Sequence, residues 1–123
     1  MKRKEFLSRL IGEISGYILE SNPLRMVISL HQEEDGAHII IFDDKIRDKN
    51  ELQEIRKALN PTEKRPELAE YYGMMAGRDA AWDTRLKLVG WQIKKATVEN
   101  NDSGTQIELW LGEDSFNPAN FTM

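Results

Sequence analysis

The sequence predicts an α+β two-layer sandwich, a mixed β-sheet of two hairpins covered on one face by two long helices. Segments 2–20 and 82–93 repeat apolar residues at the three- and four-residue spacing of a helical face. Segments 24–43 and 95–111 each read as two strands around a polar turn. Helix then hairpin, twice over, sets one sheet against one helical layer. A chain of 123 residues fits one domain, since domains usually run to roughly 100–150 residues.

In the first segment Phe6, Leu7, Leu10, Ile11, Ile14, Tyr17 and Ile18 form the apolar stripe. Ser21-Asn22-Pro23 ends it, because proline lacks the N–H and pushes its predecessor out of the helical region. Leu24 to Gln32 and Ala37 to Asp43 are the strands of the first hairpin, joined through Glu33-Glu34-Asp35-Gly36. The run Ile39-Ile40-Ile41-Phe42 predicts a strand buried on both faces and central in the sheet.

From 44 to 83 the chain turns polar, and this stretch reads as a lid-like helical insert. A short helix spans Asn50 to Leu59, and another follows Pro66 with Leu68, Tyr71, Tyr72 and Met75. Long connections of this kind more often bind than idle. Trp82, Leu86, Val89 and Ile93 mark the next core helix, with Trp82 and Trp91 read as packing residues. A strand over Lys95 to Glu99, the turn 100–104 and the alternating strand Thr105 to Leu111 complete the second hairpin. Residues 112–123 form a tail whose Phe116 and Phe121 need a surface to dock on.

Composition narrows the function. With 40% hydrophobic and 31% charged residues, the chain has apolar mass enough to fold, which excludes wholesale disorder. The absence of cysteine removes disulfides and thiolate chemistry, and His31 and His38 are too few for most zinc sites. They read as ordinary strand residues. A net charge of −4 argues against a phosphate-coating nucleic-acid binder. No apolar run approaches the roughly 18 residues of a membrane span, and Met1-Lys2-Arg3-Lys4 leads into an amphipathic segment, so no membrane role and a cytoplasmic location are expected.

Four local patterns, in this order, resemble the GHKL or Bergerat-fold ATP-binding domain of sensor histidine kinases, anti-sigma serine kinases and gyrase, over about Phe6 to Leu111. Arg9-Leu10-Ile11-Gly12-Glu13-Ile14-Ser15 falls where that family has its N-box helix, with Glu13 at the metal-binding asparagine. Ile39-Ile40-Ile41-Phe42-Asp43-Asp44-Lys45 is similar to the strand ending in the Asp-Xaa-Gly motif. There Asp43 matches the adenine-recognising aspartate, while Lys45 and Arg47 stand for glycines. Asp83-Thr84-Arg85-Leu86-Lys87-Leu88-Val89 overlies the Gly-Xaa-Gly-Leu-Gly-Leu box, with Asp83, Arg85 and Lys87 replacing its glycines. Asp102-Ser103-Gly104-Thr105 resembles the closing Gly-Thr hairpin.

The resemblance implies nucleotide-site positions at Glu13, Asp43, Arg85, Lys87 and Thr105, and the substitutions imply that the site has degenerated. Glycines in phosphate loops let backbone N–H groups approach an anion, which Asp, Arg and Lys prevent. The expected pocket holds Glu13, Asp43 and Asp44 near Arg85 and Lys87, as an internal ion-pair cluster in the nucleotide's place. No catalytic residue, metal ligand or cofactor is assigned. The expected role is interaction with a protein partner, or as a homodimer, in bacterial signalling or transcriptional control, with the insert as contact surface.

Autonomous histidine-kinase activity is not expected, since no helical pair bearing a phosphorylated histidine fits in this chain. The alternative is an ATP-binding protein or anti-sigma-like serine kinase with a divergent Mg-ATP site. Asp43 would then recognise adenine, Glu13 would hold magnesium, and Arg85 or Lys87 would meet phosphates. A third reading is an unrelated α/β interaction domain whose motif matches are coincidental.

Overall fold

The computed structural model describes residues 3–62 and 82–112, the side chains of 82–85 excepted. Its elements run α1 (Arg3–Leu19), β1 (Met26–Glu33), β2 (Gly36–Asp43), α2 (Lys49–Leu59), α3 (Trp82–Gln92), β3 (Lys95–Asn101) and β4 (Gly104–Gly112). The helix expected after Pro66 and the tail beyond Gly112 lie outside the described residues.

The four strands form one sheet in the order β1-β2-β4-β3. The two-layer α+β architecture is as expected. Every pairing is antiparallel, however, rather than mixed. The reason is that β4, the second strand of its hairpin, inserts beside β2 and runs opposite to it, with Ile41 facing Ile107 and Ile39 facing Leu109.

β2 is central, but it is not buried on both faces. Ala37, Ile39, Ile41 and Asp43 are buried, whereas His38, Ile40 and Phe42 are half-buried on the opposite, open face. The isoleucine run therefore records β-propensity on both faces and burial on one. In β4 the alternation holds, with Ile107, Leu109 and Leu111 buried and Gln106, Glu108 and Trp110 turned outward.

Three helices, not two, build the covering layer. Phe6, Leu7, Leu10, Ile14 and Ile18 of α1 enter the core with Leu86, Val89 and Ile93 around α3. Leu52, Ile55, Ala58 and Leu59 of α2 join them, so residues 49–59 of the expected insert belong to the core. Asp48 caps α2, its carboxylate accepting from the Glu51 N–H at 2.8 Å. Gly90 lets α2 and α3 meet closely: a Cβ there would fall 2.3 Å from the Ala58 carbonyl oxygen.

α1 ends as the sequence requires. Asn22 takes a left-handed conformation with φ 51°, and its N–H bonds to the Leu19 carbonyl at 3.0 Å. Pro23 follows, and the chain turns directly into the β1 edge.

Candidate functional site

β2 ends on Asp43, whose side chain follows Ile39 and Ile41 toward the helical layer and is fully buried. A buried carboxylate requires partners, because desolvation of an unpaired charge costs several kcal/mol, on the order of 3–5 when one member of a pair is removed. Arg47, only 4% exposed, supplies them. Its Nη1 donates to both carboxylate oxygens, at 3.0 Å to Oδ1 and 2.8 Å to Oδ2. The Lys45 N–H also donates to Oδ1, at 2.9 Å, closing an Asx turn that bends the chain out of β2 toward α2.

The rest of Arg47 is embedded in the same cluster. Nη2 donates to the Ser21 hydroxyl at 3.3 Å, and Nε lies 3.7 Å from Glu51. Its backbone exchanges hydrogen bonds with the Asn100 amide, the Asn100 Nδ2 donating to the Arg47 carbonyl at 2.6 Å. Thr105, fully buried opposite Asp43, places its hydroxyl 2.6 Å from the Lys45 carbonyl and 2.8 Å from Asn100 Oδ1. Its single proton serves one of them at a time.

Of the five positions singled out in the sequence, the structure brings Asp43 and Thr105 together as cross-strand partners. Glu13 is half-buried on α1. Lys87 is exposed on α3 and makes no ion pair with Asp43, and the Arg85 side chain lies outside the described residues. Asp44 is not part of the cluster; its carboxylate accepts from the Leu24 N–H at 3.0 Å. An internal ion pair is present, but its base is Arg47, four residues along the same loop, rather than a residue from the opposite wall. The sequence signal was the spacing itself, which lets the loop fold its guanidinium back onto the carboxylate.

Tyr17 borders this cluster, half-buried on α1. Burial raises its pKa above the ordinary 10.0, with Glu51, Glu54 and Asp43 pushing the same way and Arg47 opposing. A raised folded-state value stabilises the fold below pH 10, and that contribution is lost as pH rises through the folded pKa. Wild-type stability is therefore expected to fall more steeply above about pH 10 than that of Tyr17→Phe. Parallel pH titrations of urea midpoints check this, and superimposable curves would remove Tyr17 from the account.

The open face carries a second constellation that the sequence reading did not assemble. His31, His38, Trp110 and Lys95 form one row across all four strands. The His38 and Trp110 rings stack with centroids 4.6 Å apart, Lys95 Nζ lies 4.8 Å from the indole centroid, and His38 Nε2 sits 3.0 Å from Glu108 Oε2. A groove of about 630 Å³ adjoins this row, bordered by Glu33, Asp35 and Lys94. With His38 and Lys95 drawn to the same indole, the row links the strands through cross-strand contacts. Period-two alternation in β4 turns Trp110 to this face, but the register that aligns it with His31, His38 and Lys95 is a tertiary property.

No family model, no curated protein and no solved structure matches this chain. Among the described residues no helix is long and apolar enough to cross a membrane, and no group of three His, Cys, Asp or Glu side chains is placed to hold a metal ion.

Proposed function

We propose that this chain is a degenerate GHKL-like domain that acts by protein interaction, without nucleotide chemistry, as a cytoplasmic component of bacterial signalling or transcriptional control. The observation that carries the reading is the Asp43–Arg47 pair. The carboxylate expected to recognise adenine is fully buried and engaged by the guanidinium and by the Lys45 N–H. Asp43 is fully buried beneath Arg47, so an adenine amino group could reach it only by opening that pair, at a cost of the same order as the pair's disruption, about 3–5 kcal/mol.

Thermal unfolding with and without Mg-ATP and Mg-ADP tests the reading. A ligand at 100 times its dissociation constant stabilises the folded state by about 2.7 kcal/mol. No displacement of the midpoint is expected at millimolar nucleotide. A saturable rise that is lost in Asp43→Asn would overturn the proposal and establish a divergent Mg-ATP site.

A further inference from the structure

The two edges of the sheet are treated differently. On β3, the outward-turned Ala96 and the Val98 carbonyl are covered by α2 and the residue that follows it. The Asn60 side chain accepts from the Ala96 N–H at 2.9 Å and donates to the Ala96 carbonyl at 3.0 Å, and Arg56 Nε donates to the Val98 carbonyl at 3.0 Å. That edge is closed to another strand. On β1, the bond from the Asp44 N–H to the Arg25 carbonyl, 3.2 Å, fixes the alternation: Arg25, Val27, Ser29, His31 and Glu33 bond toward β2. Met26, Ile28, Leu30 and Gln32 turn their N–H and C=O groups away from the sheet.

Nothing among the described residues caps those groups, and the stretch 26–32 lacks the usual guards of an edge. β1 contains no proline and no lysine, its register is unbroken over eight residues, and Val27 and Leu30 are 41% and 39% exposed. We propose that a second copy of this chain pairs along this edge, β1 against β1, antiparallel about a twofold axis through Ser29. The sequence is self-complementary in that register. Ile28 stands opposite Leu30 of the second copy and Met26 opposite Gln32, so outward-turned residues meet outward-turned residues, and Arg25 stands opposite Glu33 as a non-hydrogen-bonded pair whose side chains approach closely.

Arg25 and Glu33 are both exposed on the open face, and neither side chain is engaged within the described fold. The twofold forms their pair twice. Registers shifted by two residues set Arg25 against His31 or Glu33 against Val27 instead, so charge selects the one centred on Ser29. The product is one continuous antiparallel sheet of eight strands with both helical layers on the same side. Self-association goes beyond the role proposed above and stands whether or not nucleotide binds at Asp43.

The experiment is mass determination by light scattering and sedimentation over a concentration series of the full chain. The wild type is expected to reach twice 14.2 kDa. Arg25→Glu and Glu33→Arg each convert two attractions into two repulsions and should weaken the dimer at least about tenfold, or about 1.4 kcal/mol, with unchanged circular dichroism. The double variant, which restores opposite charges, should recover the dimer. Leu30→Pro, whose missing N–H points outward and is not needed by β2, should remain folded and be monomeric. A wild type that stays monomeric throughout, single variants that dimerise like wild type, or a double variant that stays monomeric would each overturn the proposal. An edge that binds only an extended peptide of another protein, with the chain itself monomeric, would do the same.

Discussion

Arg47→Met is expected to destabilise the fold by about 3–5 kcal/mol, the cost of leaving a buried carboxylate without its counter-charge. The methionine retains much of the stem's packing and removes the charge, so the loss reports the ion pair rather than a cavity. Urea unfolding measures it, with a fall in midpoint at unchanged slope as the signature of a stability change in an intact two-state transition. The double variant Asp43→Leu/Arg47→Met should recover a large part of the loss, because a buried ion pair is often replaceable by well-packed apolar groups. Recovery will be incomplete, since the Lys45 N–H loses its acceptor and Ser21 its donor. A cost below about 1 kcal/mol, the range of a solvated surface pair, would mean that Asp43 is reachable by water. Its availability to a ligand would then have to be reconsidered.

The same pair shows how far the sequence could be read. Local patterns gave α1, both hairpins, α2 and α3 nearly to the residue, because apolar spacing, Pro23 and the Asp102-Ser103 turn act over short range. They also gave the buried face of β4. What they missed depended on which distant elements meet. The outer face of β2 carries Ile40 and Phe42 under half-cover, and no periodicity distinguishes that from full burial.

Helix α2 looked like part of a polar insert because Lys49, Asn50, Glu54, Arg56 and Lys57 outnumber its apolar residues. Yet its four buried side chains lie on one stripe against α3 and β3. At the site, Asp43 and Thr105 were picked out by resemblance and do sit opposite each other. Arg47 was noted only as a substitution for glycine. Its role as the closing base depended on burial of the loop, which charge alone suggests should be solvated. The bareness of β1 likewise became visible only once β3 was seen to be covered by Arg56 and Asn60.

Gly104→Ala is expected to cost about 3 kcal/mol, the upper range for forcing extra volume into a packed interior. Gly104 opens β4 with φ 156° and lies against the end of β2. A Cβ there would stand 1.9 Å from the Asp43 carbonyl oxygen and 2.8 Å from the Asp44 Cα. Both are backbone atoms, so no side-chain rotation relieves the overlap. The turn between β3 and β4 must lift away from β2 instead. Lifting it pulls the Thr105 hydroxyl from the Lys45 carbonyl and loosens Asn100 from Arg47, so the strain reaches the buried cluster through those contacts.

Gly12 is the internal control. A Cβ there meets nothing within 4 Å on the exposed side of α1, and alanine is the better helix former by up to about 1 kcal/mol. Gly12→Ala should therefore leave stability unchanged or raise it while Gly104→Ala lowers it sharply in the same urea series. Equal behaviour of the two variants would show that the β3–β4 turn is not seated on Asp43. The glycine would then have no steric reason to be there, and the resemblance to the closing Gly-Thr hairpin would be left as the explanation for it.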